Sequence, residues 1–219
     1  MSQQITKIKI FGERNSGTNY IKRLLKKNIK SQVYFQSGHY KSKSGWKHGL
    51  PDSSKIDKQT LVIFIVRELS TWLNSMYFRP YHIKRQNDFI QFITTTNKSK
   101  DKRQNHPVNL YKYERENLFK IRYTKLKKYL SLFKIHSCIL LNLNFVQQYP
   151  ENLIELLHYF NIETHKKFTP ILKHTKIGIN VKNDQTHQKY EIPSKIYNKY
   201  ANHKIETDIG KLSYRINKI

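Results

Sequence analysis

The run TLVIFIV at residues 60–66 constrains the fold more than any other stretch of this 219-residue chain. Seven consecutive apolar or β-branched residues describe a strand that buries both of its faces, and such a strand belongs inside a sheet covered on two sides. Weaker strand patterns occur at residues 5–11 and 137–143, with a faint one at 32–36. Between them, apolar residues recur at helical spacing over residues 18–30, 70–77, 88–95, 117–133 and 150–160. This alternation predicts an α/β fold, a parallel β-sheet flanked by helices on both faces. A single domain over residues 1–219 is expected for this length. Residues 164–219 are lysine-rich and weakly periodic, and read as a C-terminal extension in which only IPSKIYNKYANHKI looks helical.

The segment GERNSGTN follows the first strand and opens the first helix. Gly12 and Gly17 stand at the glycine spacing of the Walker A loop, G-x-x-x-x-G-K-[ST], so the turn is P-loop-type: backbone N–H groups and a helix N-terminus that favour an anion. Thr18 and Asn19, however, occupy the positions where a nucleotide hydrolase has its phosphate-binding Lys and its Mg²⁺-binding Ser or Thr. A phosphate held here needs a cation from elsewhere, and Arg14 is the nearest in sequence. A second constellation follows the central strand: Arg67 at its carboxyl end and Ser75 eight residues on. In open parallel sheets that edge is the ligand side, so Arg67 and Ser75 are expected to meet a phosphate in the same crevice as the first loop.

These residues carry a family resemblance. RNSGTNY (residues 14–20) resembles the 5′-phosphosulfate loop of sulfotransferases, [PR]-x-S-G-T-x-[WFY], and RELSTWLNS (67–75) resembles their 3′-phosphate motif at its two binding positions. CILLNLNFVQQYPENLIELLHYFNI is similar to the strand and helix that follow in the family. GERNSGTN, GWKHG and WLNSMYFRPYH together resemble short sulfotransferase-like proteins of bacteria and large DNA viruses. The resemblance implies 3′-phosphoadenosine 5′-phosphosulfate (PAPS) as cofactor and sulfuryl transfer to a hydroxyl or amine of a small-molecule or glycan acceptor. It assigns Arg14, Asn15, Ser16, Gly17, Thr18, Asn19, Arg67 and Ser75 to cofactor binding. The chain departs from the family at Asn15, where a loop lysine is usual, at Glu68, Leu69 and Thr71, and at Leu143 and Asn144.

Sulfuryl transfer also needs a base with a pKa near neutrality, which favours histidine. His48 in GWKHGLP lies close to where the family carries its K-T-H-L-P histidine; His39, His82 and the acidic Glu13 are the alternatives, and Lys47 is placed to contact the transferring group. His48, Lys47 and Arg14 are thus the expected catalytic residues. No H-E-x-x-H, C-x-x-C or paired-carboxylate spacing is present, so no metal site is expected. Cys138 reads as a buried strand residue.

The 41 basic residues against 15 acidic give a net charge of +26. That balance describes either a solvated lysine coat or a field that gathers polyanions, and it keeps nucleic acid open as a partner. The aromatic residues fall on core positions of helices and strands, and no R-G-F-type motif is present, so a nucleic-acid module is disfavoured. A P-loop nucleotide kinase is the other alternative, weakened by Thr18. No apolar window approaches the length of a membrane span, and the N-terminus lacks the charged-then-apolar pattern of a secretory signal. A cytoplasmic protein is expected.

Overall fold

The computed structural model describes residues 4–39, 42–80, 83, 86–96, 116–171 and 189–219. The strands are β1 (Lys7–Gly12), β2 (Tyr34–Phe35), β3 (Thr60–Val66), β4 (Cys138–Asn142) and β5 (Tyr214–Asn217). The helices are α1 (Thr18–Asn28), α2 (Leu69–Phe78), α3 (Phe89–Thr94), α4 (Leu118–Leu132), α5 (Leu143–Gln148), α6 (Pro150–His158), α7 (Ser194–Tyr200) and α8 (His203–Gly210).

The five strands form one sheet in the order β2-β1-β3-β4-β5. The fold is α/β, as the alternating pattern predicts. β1 pairs in parallel with β2 and β3, and β3 with β4, whereas β5 runs antiparallel to β4. The expectation of a purely parallel sheet is corrected at that edge. Every residue of β3 is buried, which accounts for its unbroken apolar run.

Alternate side chains of the central strands feed two cores. Ile8 and Ile10, Leu61, Ile63 and Ile65, and Ile139 and Leu141 pack under α1, α5 and α6. Phe11, Val62, Phe64 and Val66, with Cys138 and Leu140, meet Leu126, Tyr129 and Leu132 of α4 and Ile209 of α8 on the opposite face. Cys138 is fully buried there, and burial pushes its thiol up to about 12. A third cluster joins α2 and α3 to the first turn of α4, with Ile196 and Tyr197 of α7 against it.

The chain passes from β1 outward to β2, then returns past β1 to β3. The order of the strands therefore reverses between β1 and β3, and the crevice at their carboxyl ends is the topological switch point where open α/β sheets place ligands. Gly12 is opposite Ile65 in the ladder, so the loop after β1 and the turn after β3 leave the sheet at the same level. Among the described residues no helix is long and apolar enough to cross a membrane.

Candidate functional site

Two loops meet at the switch point. The first, from Gly12 to Gly17, folds tightly on itself: the backbone N–H and the hydroxyl of Ser16 both donate to the Glu13 carbonyl, at 3.2 and 2.6 Å. A Cβ at Gly12 would fall 2.4 Å from Ser16 Oγ and 2.9 Å from the Ile65 carbonyl, which requires glycine there. Gly17 has φ +84° and abuts Leu143, again a position for glycine. Asn15, at φ 59°, takes the left-handed conformation that Asn tolerates better than most side chains. α1 then starts at Thr18 with no side-chain cap, leaving its first N–H groups to a ligand or to water.

The second loop supplies Arg67. Its Nη1 donates to the Asn15 carbonyl at 2.9 Å, while its Nε is buried with no hydrogen-bond partner. The Asn15 side-chain amide in turn donates to the Ser75 and Arg79 carbonyls, at 3.0 and 3.1 Å. Asn15 thus ties the first loop to α2, a role in which its short amide and its left-handed backbone both serve. Ser75, half-buried on α2, meets the loop through this carbonyl. The Arg14 carbonyl accepts from Trp72 Nε1 at 2.9 Å, and its guanidinium lies 4.9 Å from the centre of the Trp46 ring.

Lys47 and His48 close the crevice from the side of β2. Gly12 N–H donates to the Lys47 carbonyl at 2.9 Å, so this segment runs beside the end of β1. Lys47 Nζ donates to Asn19 Oδ1 at 2.6 Å. His48 Nδ1 lies 2.9 Å from the Gly12 carbonyl. A carbonyl only accepts, so Nδ1 carries the proton and Nε2 presents a lone pair. The His48 ring also meets the Trp46 ring edge-on at 5.2 Å. Burial, and then the charge of Lys47, pull His48 down to about 3. The expected pKa near neutrality is therefore corrected: the imidazole stays neutral across the physiological range.

Beneath the loop lies a buried charge cluster that sequence reasoning missed. Arg122 of α4, fully buried, donates to Glu13 through Nη1, to Glu206 of α8 at 2.8 and 2.9 Å, and to the Arg67 carbonyl at 2.6 Å. The Glu13 carboxylate is equally inaccessible, which removes it from the candidate bases. Burial raises its pKa well above the ordinary carboxylate range, against the pull of Arg122 and Lys125. Arg122 gives no local signal, since its partners lie 109 and 84 residues away in the chain.

Thr18 and Asn19 also border a cleft of about 300 Å³ between α1, β1, β2 and residues 36, 38, 39, 46 and 47. His39, Trp46 and Lys47 line it; Arg67 and Ser75 do not. His82 lies outside the described residues. The structure therefore gathers Arg14, Asn15, Asn19, Lys47, His48 and Arg67 around one loop, with His39 on the cleft behind it. Compared with protein-family models, with curated proteins and with solved structures, the chain matches none.

Proposed function

We propose that this chain is a sulfotransferase that uses PAPS, the compound that brings the sulfuryl group when bound, and acts on a hydroxyl or amine of a small-molecule or glycan acceptor. The observation that carries the reading is the convergence at the β1/β3 switch point: a glycine-bracketed loop with an uncapped helix N-terminus is joined through Asn15 to Arg67. The donor set suits a bisphosphate. Arg67 keeps an unpartnered buried Nε, and with Ser75 it would hold the 3′-phosphate. The N–H groups of Gly17, Thr18 and Asn19, with the Arg14 guanidinium, would hold the 5′-side phosphate and offset the charge that grows on it as the bond to sulfur breaks. Ser16 contributes by shaping the turn, because its hydroxyl and N–H are both bonded to Glu13. His48 Nε2 is the acceptor for the incoming hydroxyl's proton, and the Gly12 carbonyl fixes its tautomer.

The reading is tested with adenosine 3′,5′-bisphosphate, the desulfated product analogue. At about 100 times its Kd it should stabilise the protein by roughly 2.7 kcal/mol, raising Tm by about 5–10 °C. ATP with Mg²⁺ should do much less, because no lysine follows Gly17. Arg67→Ala should weaken the bisphosphate by about 2–3 kcal/mol, on the scale of a charged hydrogen-bonding partner. A larger shift with Mg-ATP than with the bisphosphate would replace this reading with a nucleotide kinase.

A further inference from the structure

The cleft beside the loop has a composition that the donor site does not explain. Its floor is apolar, made by Ile8 and Ile10 of β1 with Phe35 and Trp46, and its rim carries Lys22, Lys47 and His39. Neither Lys22 nor Lys47 is in an ion pair with a carboxylate among the described residues. Lys47 is lowered by burial and then by the charge of Lys22, and Lys22 by burial and then by Lys26, so the rim is positive and internally repulsive.

The fold holds this arrangement in place. Lys9, fully buried, donates from Nζ to the carbonyls of Ser37 and Gly45, each at 2.6 Å, and so ties down the chain next to the cleft-lining Gly38 and Trp46. A Cβ at Gly38 would come within 2.9 Å of Lys47 Cδ, so the missing side chain makes room for the lysine stem. Trp46 is shared between the two sites: it lines the cleft and carries the Arg14 guanidinium against its ring. Thr18, Asn19 and Lys47 are shared as well. A molecule in the cleft therefore lies next to the phosphate loop without needing Arg67 or Ser75.

We propose that this cleft is the acceptor site, and that the acceptor is a small ring-bearing anion: the ring lies on Ile8, Ile10, Phe35 and Trp46, and its anionic group meets Lys22 and Lys47. The proposal rests on the sulfotransferase reading and adds the substrate class. The cleft's volume is at the lower end of small-molecule pockets, roughly 300–1,000 Å³, which fits one ring and its substituents. Each lysine supplies a charge-assisted hydrogen bond to the anion, and the apolar floor excludes a fully hydrated ion.

Phenyl phosphate is the probe, titrated by calorimetry into the full chain with and without saturating adenosine 3′,5′-bisphosphate. It should bind at least about tenfold more tightly than phenol or inorganic phosphate alone, and Lys22→Gln and Lys47→Gln should each weaken it by about tenfold or more. The two ligands should bind together. Lys22→Gln should leave the affinity for the bisphosphate within about twofold, since Lys22 lies on the cleft rim; unchanged circular dichroism shows that the variants are folded. Competition between phenyl phosphate and the bisphosphate, phenol binding as tightly as phenyl phosphate, or indifference to Lys22→Gln would each overturn the proposal while leaving the donor site intact. Failure of the bisphosphate to bind, with phenyl phosphate still bound through Lys22 and Lys47, overturns the sulfotransferase reading and the acceptor role with it.

Discussion

At His48 burial and nearby positive charge act on one imidazole, and part of that charge is removable. Burial lowers its pKa first, then the charge of Lys47, with Lys125 and Arg14 adding to it and the hydrogen bond to the Gly12 carbonyl acting in the other direction. A polyanion bound at the loop would offset the charges of Lys47 and Arg14, so ligand binding should raise the pKa toward the range in which a base works well. In the free protein the His48 ring protons should not titrate by NMR between about pH 5 and 8, with His48→Gln assigning the signal. With adenosine 3′,5′-bisphosphate bound, the titration should move upward by about one unit or more, the size expected for an opposite charge nearby. A free-protein titration near the ordinary 6.5 would show that the ring is not held as described. The same shift affects stability. Because the folded pKa lies below the unfolded one, the contribution of neutral His48 is complete above 6.5 and is lost as pH falls toward about 3.

Among the elements, α4 holds the loop in place from below. Arg122 joins the start of the β1 loop, the end of β3 and α8, with its guanidinium 5.2 Å from the centre of the Trp72 ring. Removing it takes away the guanidinium that pairs with both Glu13 and Glu206, and leaves Lys125 as the positive charge near Glu13. Arg122→Met should therefore cost about 3–5 kcal/mol at pH 8, measured by urea unfolding. The cost should shrink at pH 5, where a proton on Glu13 removes its charge. In the intact protein the sign is opposite to that of His48: burial lifts Glu13 from the ordinary 4.5 to about 7, so the folded state holds a proton that the unfolded state lacks. That contribution is full below 4.5 and fades as pH rises through 7. An Arg122→Met cost that did not change between pH 5 and 8 would show that the cluster is held by packing rather than by charge.

The same elements show what the sequence could reveal. GERNSGTN is legible because its glycines answer local demands, a near collision with Ser16 at Gly12 and a positive φ at Gly17. β3 is legible because both of its faces are buried. α5 is not, because it follows β4 with no intervening loop: Asn142 ends the strand and caps the helix through its side chain, which accepts from Asn144 N–H. The helix expected across IPSKIYNKYANHKI is in fact two, α7 and α8, separated by an extended residue at Ala201 and a capping Asn202. Nothing local marks Asn15 as a tie between loop and helix, since its partners lie 60 and 64 residues away.

At the scale of the whole molecule, the last 17 residues complete the sheet and the charge cluster together. β5 covers the outer edge of β4, pairing Cys138 to Leu141 with Asn217 to Tyr214, and α8 delivers Glu206 to Arg122 and Ile209 to the core. β5 has the pattern YRIN, two exposed residues followed by two half-buried ones on an edge, which gives no period to read. Its weight comes from what it covers. Without residues 203–219, β4 becomes an open edge strand and Arg122 loses Glu206, keeping its bond to Glu13. Both changes are costly: an unpaired edge invites association, and a half-compensated buried charge costs several kcal/mol. The truncated chain should lose more than about 10 °C in Tm, at roughly 2–4 °C per kcal/mol for a domain of this size, and should associate as its concentration rises. Glu206→Gln separates the two contributions, since it keeps β5 and α8 and removes only the charge. It should lower Tm by a smaller amount and leave the protein monodisperse by light scattering. A truncated chain that melts within about 2 °C of the full chain would show that β4 and Arg122 are stable without their C-terminal cover.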